Sequence, residues 1–246
     1  MSNELVVRED SNGISVLSLN RPEKLNALSY PMFKELLSHL LDLREDDSIG
    51  CVVLKGNGKC FSAGHDLGDL AEGEHPPSPG WNSEVLRTME TLPKPVIAAV
   101  HGHCFTGALE VALAADFIVA SDNAKFADTH SKWALSPIWG MSQRLQRRVG
   151  EAKAKKLMFT AQLINSQEAY RIGLCEDVFD NDQFLDRVMA MAATIVANSP
   201  FSHAENKRLM SITDGLSMEA GLLVEVSANR GMGPDAQDRI AKFLTK

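Results

Sequence analysis

Apolar positions along the chain change spacing as it proceeds. Residues 5–8 and 14–19 alternate around Asp10-Ser11-Asn12-Gly13, a polar turn ending in a glycine, and predict a β-hairpin. Met32, Leu36, Leu37, Leu40 and Leu41 repeat at helical spacing and predict a helix over residues 30–44. Residues 50–55 predict a strand. The run over residues 96–100, entered through Lys94-Pro95, is continuously apolar, as in a strand buried on both faces. A buried helix follows from Gly107, where Ala108, Leu109 and residues 111–115 leave almost no polar face. Residues 117–121 predict another strand.

Between these elements, residues 56–67 form a glycine-bearing turn, residues 68–80 read as a mobile loop, and residues 81–92 as a helix. Residues 127–140 are irregular and hold Asp128, His130, Trp133 and Trp139, as a cleft wall would. Thereafter helices are predicted at 141–149, 151–160, 166–172, 182–197, 201–211, 217–229 and 234–244, with one short strand at 175–179. Strand–helix alternation first and helices last predicts one α/β unit: a core over residues 1–195 and a helical region over 196–246 that caps or oligomerises it.

Length and charge narrow the function. A chain of 246 residues suits one sizeable domain, and 32 acidic against 25 basic residues, net charge −7, argue against a nucleic-acid surface. No apolar window reaches the length of a membrane span, and the first residues lack a signal-peptide pattern. Cys51, Cys60, Cys104 and Cys175 are scattered, which fits reduced core thiols in a cytoplasmic protein. His101 and His103 have no third ligand at metal-binding spacing, so no metal is expected.

The chemistry concentrates where the strand at 96–100 turns into the helix at Gly107. The first turn of that helix carries unpaired N–H groups and a positive partial charge, and Gly107 lets a ligand approach the backbone. Such a place suits an oxygen that gains charge during a reaction. Glu110 lies in the same turn. Ser62-Ala63-Gly64 before His65 forms a second small-residue turn, directly after a strand.

Five segments, RPEKLNAL (21–28), CFSAGHDL (60–67), PKPVIAAVHG (93–102), GALEVALAADFIVAS (107–121) and QRLQRRVG (143–150), together resemble the crotonase, or enoyl-CoA hydratase/isomerase, family over nearly the whole chain. The resemblance implies a ββα spiral core, with C-terminal helices at the contacts of a homotrimer or dimer of trimers. It also implies an acyl-CoA thioester substrate, coenzyme A being part of that substrate and no separate cofactor being needed. The two N–H groups that hold the thioester oxygen fall on His65 and Gly107. Leu25, Ala27, Ala63, Asp66, Leu67 and Gly68 fall along the substrate and coenzyme, with Gly68 where family hydratases often carry lysine.

Family hydratases use two glutamates around a water. The first falls on Glu110 and the second on His130. Neutral His130 can take a proton from water and return it once charged, so hydration of a 2-enoyl-CoA by a Glu/His pair is chemically reasonable. Two alternatives stay open: a one-base isomerisation through Glu110, and a catalytically silent acyl-CoA binder. Asp128 reads as a turn or cap residue.

Overall fold

The computed structural model describes residues 4–73 and 76–245. The hairpin forms as β1 (Val6–Ser11) and β2 (Ile14–Leu19), paired antiparallel from Val6 opposite Leu19 to Ser11 opposite Ile14. Helix α1 (Tyr30–Glu45) follows, opened by Ser29, whose hydroxyl accepts from the Met32 amide. Next come β3 (Cys51–Gly56), α2 (Leu67–Glu72), α3 (Trp81–Glu90), β4 (Val96–Val100), β5 (His103–Phe105) and α4 (Gly107–Leu113). The chain continues through β6 (Phe117–Ser121), β7 (Lys125–Ala127), α5 (Met141–Val149), α6 (Glu151–Thr160), β8 (Ile164–Asn165), α7 (Ser166–Arg171) and β9 (Asp177–Phe179). It ends in α8 (Phe184–Val196), α9 (Pro200–Thr213), α10 (Met218–Ala228) and α11 (Ala236–Leu244).

The main sheet has strand order β1-β2-β3-β4-β6-β9 and is parallel from β2 onward. A second sheet, β5-β7-β8, stands beside it. The chain winds as a spiral: β4 in the large sheet, β5 in the small one, then α4; afterwards β6, β7, then α5. Ser62 forms an isolated parallel bridge with Cys104 of β5, so the segment after β3 adds an incipient fourth row to the small sheet. The resemblance had implied this architecture.

Alternation on the strands divides the core. Val52, Leu54, Val96, Ala98, Val100, Ile118 and Ala120 join the large cluster with α1, α3 and α4. Cys51, Val53, Ile97, Ala99 and Val119 face the other way, against Phe184, Val188 and Ala192 of α8. The continuous apolar run in β4 therefore has helices on both faces.

Two expectations need correction. Residues 68–80, predicted as loop, begin within α2: Asp66 caps that helix by accepting from the Gly68 amide at 3.0 Å, a local signal hidden among glycines and prolines. Residues 74 and 75 of that stretch lie outside those described. Strands β5, β7 and β8 were also unforeseen, being only two or three residues long and too short to show alternation.

Beyond α8 the pattern changes. Helix α10 buries no residue and α9 buries only Glu205, while Met218, Val226, Leu223 and Phe243 stand largely exposed. Among the described residues, no helix is long and apolar enough to cross a membrane.

Candidate active site

The two small-residue turns meet at one end of the sheets. Ser62 N–H donates to His103 O at 2.9 Å, Ala63 N–H to Leu25 O at 2.9 Å, and Leu28 N–H to Gly64 O at 2.8 Å. Gly64 has φ +101°, and a Cβ there would lie 2.6 Å from Phe105 O, so only glycine lets the turns close. As a result the His65 amide nitrogen lies 3.4 Å from where a Cβ on Gly107 would be. Thr106, which precedes α4, holds φ 51° and ψ −109°, a strained conformation fixed by its N–H to Ala127 O at 2.8 Å and its hydroxyl pairing with Thr129. Gly107, as first residue of α4, has no carbonyl within the helix for its N–H to reach. The amides of His65 and Gly107 thus border one cavity.

That cavity has a volume of about 680 Å³. It is lined by Ala63, His65, Asp66, Leu67, Gly68, Phe105, Thr106 and Gly107 of the two turns and by Thr129, His130, Lys132, Trp133, Leu135, Ser136, Ile138 and Trp139 of the irregular segment, with Lys24, Ala27 and Glu110 completing it. Of the residues that the resemblance assigns to the site, all but Leu25 line this cavity; Asp128, His101, His103 and Cys104 do not. Leu25 does not line the cavity; its carbonyl anchors Ala63, and its φ of +53° shapes the turn. Asp66 is held by Arg21 Nη2 at 3.1 Å and Lys24 Nζ at 3.8 Å. Burial raises its carboxyl, but the Gly68 amide and Arg21 outweigh that and hold it below the ordinary range.

Glu110 is 1% exposed. Its Oε1 accepts from the amides of Trp139 at 3.0 Å and Met141 at 2.9 Å. Its Oε2 lies 3.8 Å from His130 Nε2. Burial pushes the carboxyl up to about 7, against the pull of those two amides and of His130. His130 Nδ1 is 2.6 Å from Asp128 Oδ1. Burial lowers the imidazole, but the bond to Asp128 and the charges of Asp128 and Glu110 outweigh it, and the net direction is upward. A buried acid raised to neutrality, facing an imidazole raised by carboxylates, is an arrangement for moving protons.

Several contributions were not evident in the sequence. Trp139 packs its ring 4.7 Å from that of His65 and 4.9 Å from Phe33 while its amide holds Glu110. Asp128 does more than the turn-capping role read from its position: Oδ1 accepts the His130 amide at 3.2 Å as well as meeting the ring. The Asp-x-His spacing was the available signal. Asn26, fully buried, donates to Asn57 O and Cys60 O at 2.8 Å and accepts from Arg21 N at 2.9 Å, tying the RPEKLNAL segment to the turn after β3. Cys104 is a core thiol, fully buried and pushed well up by burial. Among the described residues, no group of three or more His, Cys, Asp or Glu could hold a metal.

Fold and site together describe a spiral α/β protein with a pair of backbone amides beside a buried carboxyl–imidazole pair. The family model for enoyl-CoA hydratase/isomerase matches residues 9–228. The chain is 34% identical over 251 residues to a short-chain-enoyl-CoA hydratase of Clostridium acetobutylicum, covering 98% of this chain and 95% of that one. It is 32% identical over 260 residues to a crotonyl-CoA hydratase of Syntrophomonas wolfei, covering both chains fully. The crystal structure of an enoyl-CoA hydratase from Bacillus anthracis matches with a TM-score of 0.91 at 30% identity, over 98% of this chain and 96% of that one. The chain belongs to the enoyl-CoA hydratase/isomerase family, within the crotonase superfamily.

Proposed function

We propose that this protein adds water to a 2-enoyl-CoA thioester. The observation that carries this reading is the 3.8 Å approach of His130 Nε2 to Glu110 Oε2 beside the amides of His65 and Gly107. One water within about 2.8 Å of both groups would lie between a proton acceptor and a proton donor. The thioester oxygen would be held by the two amides, which stabilise the enolate more than the ground state; one such donor is typically worth ~3 kcal/mol.

Apolar Trp133, Leu135, Ile138 and Trp139 supply an acyl wall, and Asp66, Leu67 and Gly68 a path for the coenzyme. Lys24 and Lys132 border the same cavity and offer charge to its phosphates, in place of a lysine at position 68. The exposed apolar faces of α10 and α11 support assembly into a homotrimer or dimer of trimers. The free, buried cysteines are in keeping with a cytoplasmic protein. The 2,3-dehydroadipyl-CoA hydratase of Escherichia coli, 31% identical over 246 residues, shows that relatives at this distance differ in acyl group, so the acyl group here is set by this chain's own wall.

The test is incubation in heavy water with crotonyl-CoA and with a 3-enoyl-CoA, followed by mass spectrometry. Hydrated product, lost on Glu110→Gln by about 1,000-fold or more, is the expected result. A shifted double bond without hydration would make the protein a one-base isomerase, and binding without turnover a silent binder.

A further inference from the structure

Asp128 follows β7 and is 1% exposed, yet it does not line the cavity. Its Oδ1 meets both the backbone amide and the Nδ1 of His130, two residues on. Its Oδ2 is buried and has no hydrogen-bond partner among the described residues. A carboxylate only accepts, so at a 2.6 Å contact the shared proton belongs to Nδ1. The neutral ring then carries its lone pair on Nε2, the atom that faces Glu110.

We propose that Asp128 is the positioning residue of this site: it holds the proton on His130 Nδ1, presents Nε2 to the cavity as base, and thereby leaves Glu110 as acid. The proposal rests on the hydratase reading above for its catalytic meaning, though not for its geometry. In the step it describes, a water O–H bond breaks and its proton goes to Nε2 while the oxygen bonds to C3. The C2–C3 π pair moves toward the carbonyl, giving an enolate at the His65 and Gly107 amides. C2 then takes the proton of the Glu110 carboxyl. His130, now a cation beside two carboxylates, returns its proton to Glu110 across 3.8 Å, and the net change is one water added. The groups facing His130 are Glu110 from α4 and Asp128 from its own segment; Lys132 and His65 line the same cavity.

Asp128→Asn tests this. An asparagine keeps one oxygen for the His130 amide and Nδ1–H but carries no charge, so it holds the proton on Nδ1 less firmly and no longer stabilises the His130 cation that forms in the step. Turnover should fall about 100-fold or more with KM within about threefold. In a His130→Gln background the same change should cost less than about threefold, since no tautomer remains to be set. Equal losses in both backgrounds would mean a merely structural carboxylate and overturn the proposal. A second readout needs no activity: in protein labelled with 15N-histidine, His130, assigned by its loss in His130→Gln, should show a protonated Nδ1 and a bare Nε2. A bare Nδ1 in the wild-type protein would overturn the proposal even if Asp128→Asn fails to fold. Failure of wild-type protein to hydrate any 2-enoyl-CoA would instead overturn the functional reading, and the spectrum would still decide the role of Asp128.

Discussion

The cavity's two walls are held by different means. The wall carrying the His65 and Gly107 amides is backbone bonded to backbone: Ser62 to His103, Ala63 to Leu25, Leu28 to Gly64, Thr106 to Ala127. The opposite wall, residues 128–141, has little regular structure and leans on side chains. Glu110 itself accepts the Trp139 and Met141 amides, Arg144 Nη1 donates to Trp139 O at 2.7 Å, and Asp128 holds His130. Trp133 and Ile138 on that wall are 56% and 66% exposed. The comparison teaches that the half carrying the amide pair depends on side-chain identity mainly where a Cβ would intrude. The half built by residues 128–141 depends on individual side chains, so a histidine can stand where the resemblance implied a glutamate without changing the fold.

The largest effect should come where the walls touch. A Cβ on Gly107 would lie 2.5 Å from Trp139 Cζ3, forcing the indole off the amide pair and disturbing the Glu110 anchor attached to it. Gly107→Ala should lower kcat/KM about 100- to 1,000-fold while circular dichroism stays native. Relieving the ring with Trp139→Leu in the same chain should restore part of that loss; no recovery would mean that the clash is not the cause. A loss under about threefold for Gly107→Ala alone would break the claim that this wall tolerates no Cβ.

On the backbone-held wall itself, Asn26 is the side chain that matters. It makes three hydrogen bonds to backbone while fully buried, and its φ of +53° is one that asparagine tolerates better than alanine. Asn26→Ala should cost about 2–4 kcal/mol, since the partner groups are left buried and unsatisfied. Urea unfolding reads this directly, and a cost below about 0.5 kcal/mol would mean that the wall stands without it.

The same division explains what could be read from the sequence. Strands β3, β4 and β6 and helix α1 announce themselves because each buries a long enough periodic face. Gly107 and Glu110 were legible as a strand end running into a helix start, a local pattern. The Trp139 amide on Glu110 spans twenty-nine residues of chain and involves a main-chain donor, which no side-chain pattern records. Asp128 and His130 were both noticed, but their pairing depends on the short 3-10 turn at His130–Lys132 folding the ring back onto the carboxylate. Asn26 enters the sequence reading only as one letter of RPEKLNAL, because its three partners are all backbone atoms, invisible in a sequence. Leu25 was placed in the cavity by resemblance, whereas its carbonyl rather than its side chain serves the site.

The smallest effect concerns stability, and it tests whether the side-chain-held wall is strained by its chemistry. Burial raises the Glu110 carboxyl from its ordinary 4.5 to about 7 in the folded protein. A raised folded value means that the native state binds this proton more tightly than the unfolded chain does. Its contribution is therefore complete below pH 4.5, shrinks as pH rises, and is gone above about 7. His130, also raised, acts in the same direction as its own proton leaves. At pH 8 the wild-type protein thus holds a buried carboxylate at a cost of up to ~3 kcal/mol. Glu110→Gln keeps an oxygen for the Trp139 and Met141 amides but never ionises. It should come closest to wild type in Tm at pH 5 and exceed it at pH 8 by a few degrees more, while turnover is lost at both. Equal Tm at both pH values would mean that the protein relieves the charge by rearranging residues 128–141, making that wall the more pliable of the two. A Tm gap that widens with pH would mean instead that the site holds the carboxylate in place at the expense of the fold, as the proposed proton transfer across 3.8 Å requires.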